Sequence, residues 1–473
     1  MSQKHILTPW NVLVAIIGSF LGSIALVSIN SDIGSDAEKI GSSAWFIMQG
    51  MLPYKEIIEV NQPGTLLYLM GLKSISQSDM CFRLADLLML AIIVGLLWRL
   101  GKTTGTFAAA PAVFYSGFHL IMLGHNGTVQ RDAVITAFVL GAAVLVVQWE
   151  KEHQDWQLAV AGLLIGCAST IKVDAVLFAI PLGTLVLKNE WRKLSLPIDG
   201  AILPLMAVVF WVDYYDALPD LWWVMTTLIP IANGPETYGL MPQIPIWMRF
   251  VVTIVAVVIS SAAVYRNPGR NLMWAMTIMG ALHLIVQNKG FWYHFLPILA
   301  FGSVAIMQMK KPTRYPVAVA LVCTWPLMWF IPDDQQSTTH SDVIPVETAL
   351  RNLPTEARIQ PLTYVDSVSG AMVKAGRLPA TGMVYDLFLF MGKDTPARNE
   401  IRHRFLTDVQ NDPPDYFVTS RDSDPRGFDK LLAWPEFKTW LEQNYIIEID
   451  NGVYRIYCYK FANNLVSSRT STP

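Results

Sequence analysis

A chain of 473 residues in which 53% are hydrophobic and 15% charged is too apolar for an ordinary set of soluble domains, which would carry charge at about a quarter of their positions. Residues 1–331 hold about 38 of the charged residues, roughly 11% of that segment, and residues 332–473 hold about 34, roughly 24%. Disorder, collagen-like repeats and a disulfide-rich scaffold are excluded, and a formal net charge of −2 gives no electrostatic basis for nucleic-acid binding.

In chain order, the apolar run after Trp10 continues to Ile29 without a small-residue cleavage site, so it reads as a membrane span and not as a signal peptide. A helix crosses the hydrocarbon core with about 20 apolar residues. On that rule the sequence predicts eleven spans, at 10–29, 81–100, 106–123, 131–149, 157–171, 173–188, 197–213, 248–265, 272–288, 295–309 and 315–331. Only Lys172 and Asp174 separate the fifth from the sixth. Arg99 and Lys102, then Lys188, Arg192 and Lys193, then Arg266 and Arg270, then Lys310, Lys311 and Arg314 fall on one side. The positive-inside rule makes that side cytoplasmic, with the N-terminus inside and the C-terminal part outside. Cys81, Cys167, Cys323 and Cys458 are scattered and predict neither a disulfide framework nor a zinc site.

The outer loop 30–80 is too patterned for a connector. Ser35-Asp36-Ala37-Glu38 reads as a capping box, with Ser35 as N-cap and Glu38 returning to it. Ala37, Ile40, Ala44, Ile47, Met48 and Met51 then mark one face of an amphipathic helix along the membrane surface. Gly50 and Pro53 end it, and Asn61-Gln62-Pro63-Gly64 turns into a second helix over 65–75. Asp36 has two readings: a complement to the helix N-terminus, or a carboxylate at the water–membrane boundary available as a general base.

These residues carry a resemblance. Asp36, the helix ending at Gly50, Pro53-Tyr54-Lys55-Glu56 and Asn61-Gln62-Pro63-Gly64 are similar to the first outer loop of GT-C glycosyltransferases. More narrowly, they resemble the branch of protein O-mannosyltransferases and the lipid A aminoarabinose transferase. The similarity continues through Arg83, Gln130-Arg131-Asp132 and Gly166-Cys167-Ala168-Ser169-Thr170-Ile171-Lys172, and more weakly at Lys289-Gly290-Phe291-Trp292-Tyr293-His294. It departs at Ala37, where many members place a glutamate. The resemblance implies a GT-C-like membrane domain that moves a sugar from a polyprenyl-phosphate donor to an acceptor hydroxyl, inverting, at the outer face of a bacterial inner membrane. Asp36 would be the base, with Glu56 and Asn61 in the substrate loop. The acceptor would be a glycan, lipid or protein, with membrane lipids as further partners.

Ionisable residues at membrane depth are functional candidates by default. Asp132 reads either as the ion-pair partner of Arg131 or as a second acid near Asp36, and Arg131 as a phosphate contact. Lys172 reads as the partner of Asp174 or as an ammonium facing an anionic headgroup. Lys289 and His294 are further phosphate candidates among Phe291, Trp292 and Tyr293, which read as an interface belt. Arg83 and Asp86, one helical turn apart, neutralise each other. No Gly-rich phosphate loop or Asp-x-Asp motif is placed to serve a nucleotide-sugar site, and His119 and His125 lack metal-ligand spacing, so no cofactor is expected and a divalent metal is open but not indicated. Residues 332–462 alternate helical and strand-like pieces, ending in a hairpin around Asp450-Asn451-Gly452, which predicts an extracytoplasmic α/β or α+β domain. Residues 463–473 read as a disordered tail. A transporter or flippase, and an O-antigen-ligase-like or polymerase enzyme, are the rival classes. The first should show internal repeats and midplane charges, and the second a large late outer loop.

Overall fold

In a computed structural model the described residues are 9–31, 33–104, 109–232, 244–309, 340–363, 368–390, 394–421 and 427–460. The expected eleventh span, 315–331, and the expected tail, 463–473, lie outside them. Each of the other ten predicted spans coincides with helix. In chain order these are α1 (Pro9–Ser28), α4 (Asp79–Thr103), α5 (Ala109–Gly117, continued as a wider turn to Leu123), α6 (Arg131–Glu152), α7 (Asp155–Ile171), α8 (Ala179–Glu190), α9 (Ser195–Asp213), α12 (Ile246–Arg266), α13 (Pro268–Gln287) and α14 (Leu296–Met307). Between α1 and α4 lie α2 (Ser35–Met48) and α3 (Pro63–Ile75); α10 (Leu218–Trp223) and α11 (Ile229–Ala232) follow α9.

Helix α6 is apolar on every side because it is enclosed on every side, with Ile135, Val139, Leu140 and Trp149 all fully buried. Helices α9 and α12 carry Ile202, Leu203, Phe210, Phe250 and Val258 on the outside of the bundle, where only a lipid solvent would favour them. Residues 79–103, 131–152, 173–213 and 247–266 form helical stretches long and apolar enough to cross a membrane. Helices α7 and α9 meet through glycine: a Cβ on Gly162 would stand 2.0 Å from the Pro197 carbonyl oxygen.

The capping box is not formed. Helix α2 is preceded by Gly34, so Ser35 is already helical and is not the N-cap, and Glu38 stands in the first turn. Its carboxylate packs on Gly370, where an added Cβ would fall 1.9 Å from Oε1. The expected apolar face of α2 is buried at Ala37, Ile40, Ala44 and Ile47, but so are Ser42 and Ser43. A helix lying only on a membrane surface would leave those serines wet; here Tyr385 of the C-terminal region meets the Ser43 hydroxyl at 2.6 Å.

That region contains α15 (His340–Asn352), β1 (Ile359–Leu362), α16 (Val368–Ala375), α17 (Leu387–Phe390), α18 (Pro396–Asn411), β2 (Tyr416–Ser420), α19 (Pro435–Asn444), β3 (Tyr445–Asp450) and β4 (Tyr454–Tyr459). The sheet order is β1-β2-β4-β3, with β1 parallel to β2 and the other pairs antiparallel. Gly452, at φ +78°, closes the terminal hairpin. Phe388, Phe405, Phe417 and Phe437 share one apolar core with Ala37, Ile40, Ala44 and Phe46, so the C-terminal fold is built directly onto the first outer loop.

Candidate active site

The outer loop is fixed to the bundle where α7 ends. A Cβ on Gly64 would lie 2.6 Å from the backbone carbonyl carbon of Thr170, an approach only glycine permits. The Thr65 hydroxyl donates to the Ile171 carbonyl at 3.3 Å. The next residue, Lys172, is extended (φ −147°, ψ 123°), which stops α7 and aims its side chain away from the helix axis. Asn61 of the loop and Lys172 of the bundle are thereby held around one place.

Asp36, in the first turn of α2, is surrounded by cations. Lys39 is 3.2 Å from Oδ1, one helical turn on, and Arg131 is 3.6 Å from Oδ2. The Tyr293 hydroxyl stands 3.5 Å from the same Oδ2. Burial alone would raise this carboxyl, but Lys39, Arg131 and Lys289 together hold it well below the usual carboxylate range. Lys289, in the loop after Asn288, is pushed down to about 8 by burial and by the Arg131 guanidinium, against the pull of Asp36. Asn61 accepts a hydrogen bond from Arg131 Nη1 through Oδ1. Asp36, Thr65, Thr128, Gln130 and Arg131 line a small pocket.

A second cluster lies behind the first. Asp132 is fully buried, with Lys172 Nζ at 2.7 Å from Oδ2 and His283 Nε2 at 2.7 Å from Oδ1. Lys172 also donates to Gln287 Oε1 at 2.6 Å. His283 Nδ1 is 2.7 Å from Asp174 Oδ2. Of the two readings of Lys172, the direct pair with Asp174 is not the one formed: with extended backbone at Lys172, its ammonium meets Asp132 and Asp174 meets His283 across the bundle. Asp132 pairs with Lys172 rather than with the adjacent Arg131. It has no exposed surface and both its oxygens are engaged, one by Lys172 and one by His283.

Tyr293 joins the clusters, its ring centroid 6.0 Å from Lys172 Nζ and its hydroxyl at Asp36. It belongs to the site and not to an interface belt. His294 is 2% exposed, with its ring edge-on to Tyr293 at 4.6 Å, so it packs behind that tyrosine. Glu56 is exposed and accepts from the Leu52 N–H at 2.9 Å, closing its own turn away from the clusters. Asp86 accepts from the Val129 N–H at 3.2 Å and faces His119 Nε2 at 3.0 Å. Its oxygens serve that loop and not simply Arg83, which donates to the Ser31 carbonyl at 3.3 Å. Val129 has φ +44°, a strained setting for a β-branched residue, two positions before Arg131.

Sequence reasoning passed over His283, Gln287 and Glu59. His283 lies inside a predicted span, and an ionisable residue there is a signal in itself. Gln287 follows one turn later on the same face. Glu59, fully buried, had no local sign of its role. Among the described residues no three His, Cys, Asp or Glu side chains are grouped so as to hold a metal ion.

Residues 65–214 match the family of dolichyl-phosphate-mannose-protein mannosyltransferases. No curated protein matches the chain. Among solved structures, ArnT from Cupriavidus metallidurans in the apo state is similar over 95% of this chain and 98% of its own, at 9% identity and a TM-score of 0.58. The archaeal oligosaccharyltransferase AglB from Archaeoglobus fulgidus, solved with an inhibitory peptide and a dolichol-phosphate, covers 97% of this chain and 75% of its own, at 10% identity and a TM-score of 0.49. In fold, and in the sequence of residues 65–214, the chain resembles the GT-C glycosyltransferases of the protein O-mannosyltransferase and ArnT kind.

Proposed function

We propose that the protein is a membrane glycosyltransferase that moves a sugar from a polyprenyl-phosphate donor to an acceptor hydroxyl at the outer face of a bacterial inner membrane. The observation that carries this reading is that a carboxylate, Asp36, stands beside the Arg131 guanidinium, with Tyr293 bridging from it to the Lys172 ammonium. An inverting displacement needs that pairing. The acceptor oxygen attacks the anomeric carbon, the bond from that carbon to the phosphate oxygen breaks, and the departing phosphate keeps the electron pair. Arg131, Lys172 and Lys289 stabilise the leaving charge, and Asp36 takes the acceptor proton.

The depressed Asp36 fits this cycle. Without donor, the cations around it are satisfied by its own charge. A bound phosphate shares those cations, which raises the proton affinity of Asp36 when an acceptor is to be deprotonated. Asp132 keeps Lys172 extended toward the site, since an unpaired ammonium at this depth would be costly. Asn61 orients Arg131.

The test is Asp36→Asn, which keeps shape and removes the charge. Transfer should fall by about 10²–10⁴-fold, while the purified variant still binds polyprenyl phosphate. Near-normal turnover would reduce Asp36 to a helix-terminus residue.

A further inference from the structure

The C-terminal region reaches the site through one hydroxyl. The segment before α17 lies against the outer loop, with the Ile58 N–H donating to the Gly382 carbonyl at 2.9 Å. A Cβ on Gly382 would stand 2.4 Å from the Glu56 carbonyl oxygen, so the two backbones are as close as they can be. Three residues on, Tyr385 places its hydroxyl 2.7 Å from Glu59 Oε2, 2.6 Å from Ser43 Oγ and 3.0 Å from the Lys39 carbonyl. A phenol has one proton to give. The carboxylate is the strongest acceptor of the three, so Tyr385 donates to Glu59 and accepts from Ser43.

Glu59 then fixes Asn61. Its Oε1 accepts from the Asn61 backbone N–H at 3.0 Å and from Nδ2 at 2.7 Å. With Nδ2 committed to a carboxylate, the amide has only one orientation, and Oδ1 must face Arg131, from which it accepts. Arg131 in turn stands 3.6 Å from Asp36. Glu59 and Asn61 are 0% and 8% exposed and Tyr385 is 5% exposed, so water does not compete strongly along this chain.

We propose that Tyr385 is a positioning residue of the site: through Glu59 and Asn61 it sets the Arg131 guanidinium against Asp36, so that the C-terminal region completes the anion-binding side of the bundle. The inference rests on the glycosyltransferase reading only for the choice of phosphate ligand.

The experiment compares Tyr385→Phe with Ser43→Ala in the full-length protein. Both remove a buried hydrogen bond at the same hydroxyl, but only the first breaks the link to Glu59. Hydrogen exchange is read over residues 59–63 and 129–133, and binding of polyprenyl phosphate in detergent is read separately. Tyr385→Phe should raise exchange in both segments, about tenfold at the Asn61 amide, and weaken binding about tenfold. Ser43→Ala should leave both near wild type. In an Arg131→Ala background, Tyr385→Phe should cost no further affinity, because the two act through one contact. Unchanged exchange over 129–133 in Tyr385→Phe, or equal changes in both variants, would overturn the proposal. Should Tyr385→Phe not fold, Glu59→Gln carries the same comparison, because it weakens the same charge-assisted link while keeping size. If the wild-type protein binds no polyprenyl phosphate, the donor reading fails while the exchange result still decides the role of Tyr385.

Discussion

Lys172 and Asp132 are 2.7 Å apart in a place with almost no water. Breaking such a pair from one side leaves an uncompensated buried charge, at a cost of about 3–5 kcal/mol. Asp132→Asn should therefore lower the thermal midpoint markedly and weaken donor binding through the misplaced ammonium. Lys172→Ala should lose donor affinity by more than Asp132→Asn does, since it removes the phosphate contact itself. Calorimetry and donor titration on the two variants check this, and equal affinity in both would confine the pair to stability. Lys289 offers a second test at this scale. With its ammonium pushed down to about 8, it is charged below that pH and neutral above it. A phosphate prefers the charged form, so donor affinity should fall as pH rises through about 8, by up to about tenfold per unit. Lys289→Arg, charged throughout, should flatten that dependence, and a profile unchanged by the substitution would remove Lys289 from the binding step.

Elements were more legible than partnerships. Hydropathy marks where helices run because lipid-depth segments must be apolar over their whole length, and ten predicted spans coincide with helices. Asp36, Arg131, Lys172 and Lys289 stand out as charges at segment ends, which is also a one-dimensional signal. Their partners do not. His283 meets Asp132 across 151 positions, and Tyr385 meets Glu59 across 326. Nothing in local spacing encodes which two helix ends come together. The two open readings of Lys172 have the same root: two residues apart can read as a pair, and only the extended backbone at Lys172 sends its ammonium to Asp132. What brings the ends together is close packing of small residues, above all Gly64 on the end of α7. Gly64→Ala puts a Cβ 2.6 Å from the Thr170 carbonyl carbon, a backbone atom that cannot yield cheaply. Overpacking of this kind costs about 1–3 kcal/mol. The variant should lower the thermal midpoint and donor affinity together, since the same shift moves the loop off Lys172. Wild-type affinity in a destabilised Gly64→Ala would separate loop docking from the site.

At the scale of the molecule, helix direction sorts the charges. Helix α6 starts at Arg131 beside Asp36 and runs away from it to Glu152, where Lys151 donates to the Thr103 carbonyl at the end of α4. Helix α7 then returns to Lys172, and its start, Asp155, is paired with Lys193 at 2.9 Å. Lys102, Lys151, Arg192 and Lys193 thus gather at the end of the bundle opposite the candidate site. By the positive-inside rule that end is expected to be cytoplasmic, and the proposed function requires Asp36, the outer loop and the C-terminal fold on the other side. Sidedness matters to the chemistry, because a polyprenyl-linked donor used at the outer face presents its sugar away from the nucleotide pool. Single cysteines introduced into the full-length chain, with the four native ones replaced, check it in cells. Lys55→Cys lies at an exposed position of the outer loop and Arg192→Cys at an exposed position of the basic end. A membrane-impermeant maleimide should label the first in intact cells and the second only after the membrane is opened. Labelling of Arg192→Cys in intact cells, with Lys55→Cys silent, would invert the molecule and move the proposed transfer to the cytoplasmic face.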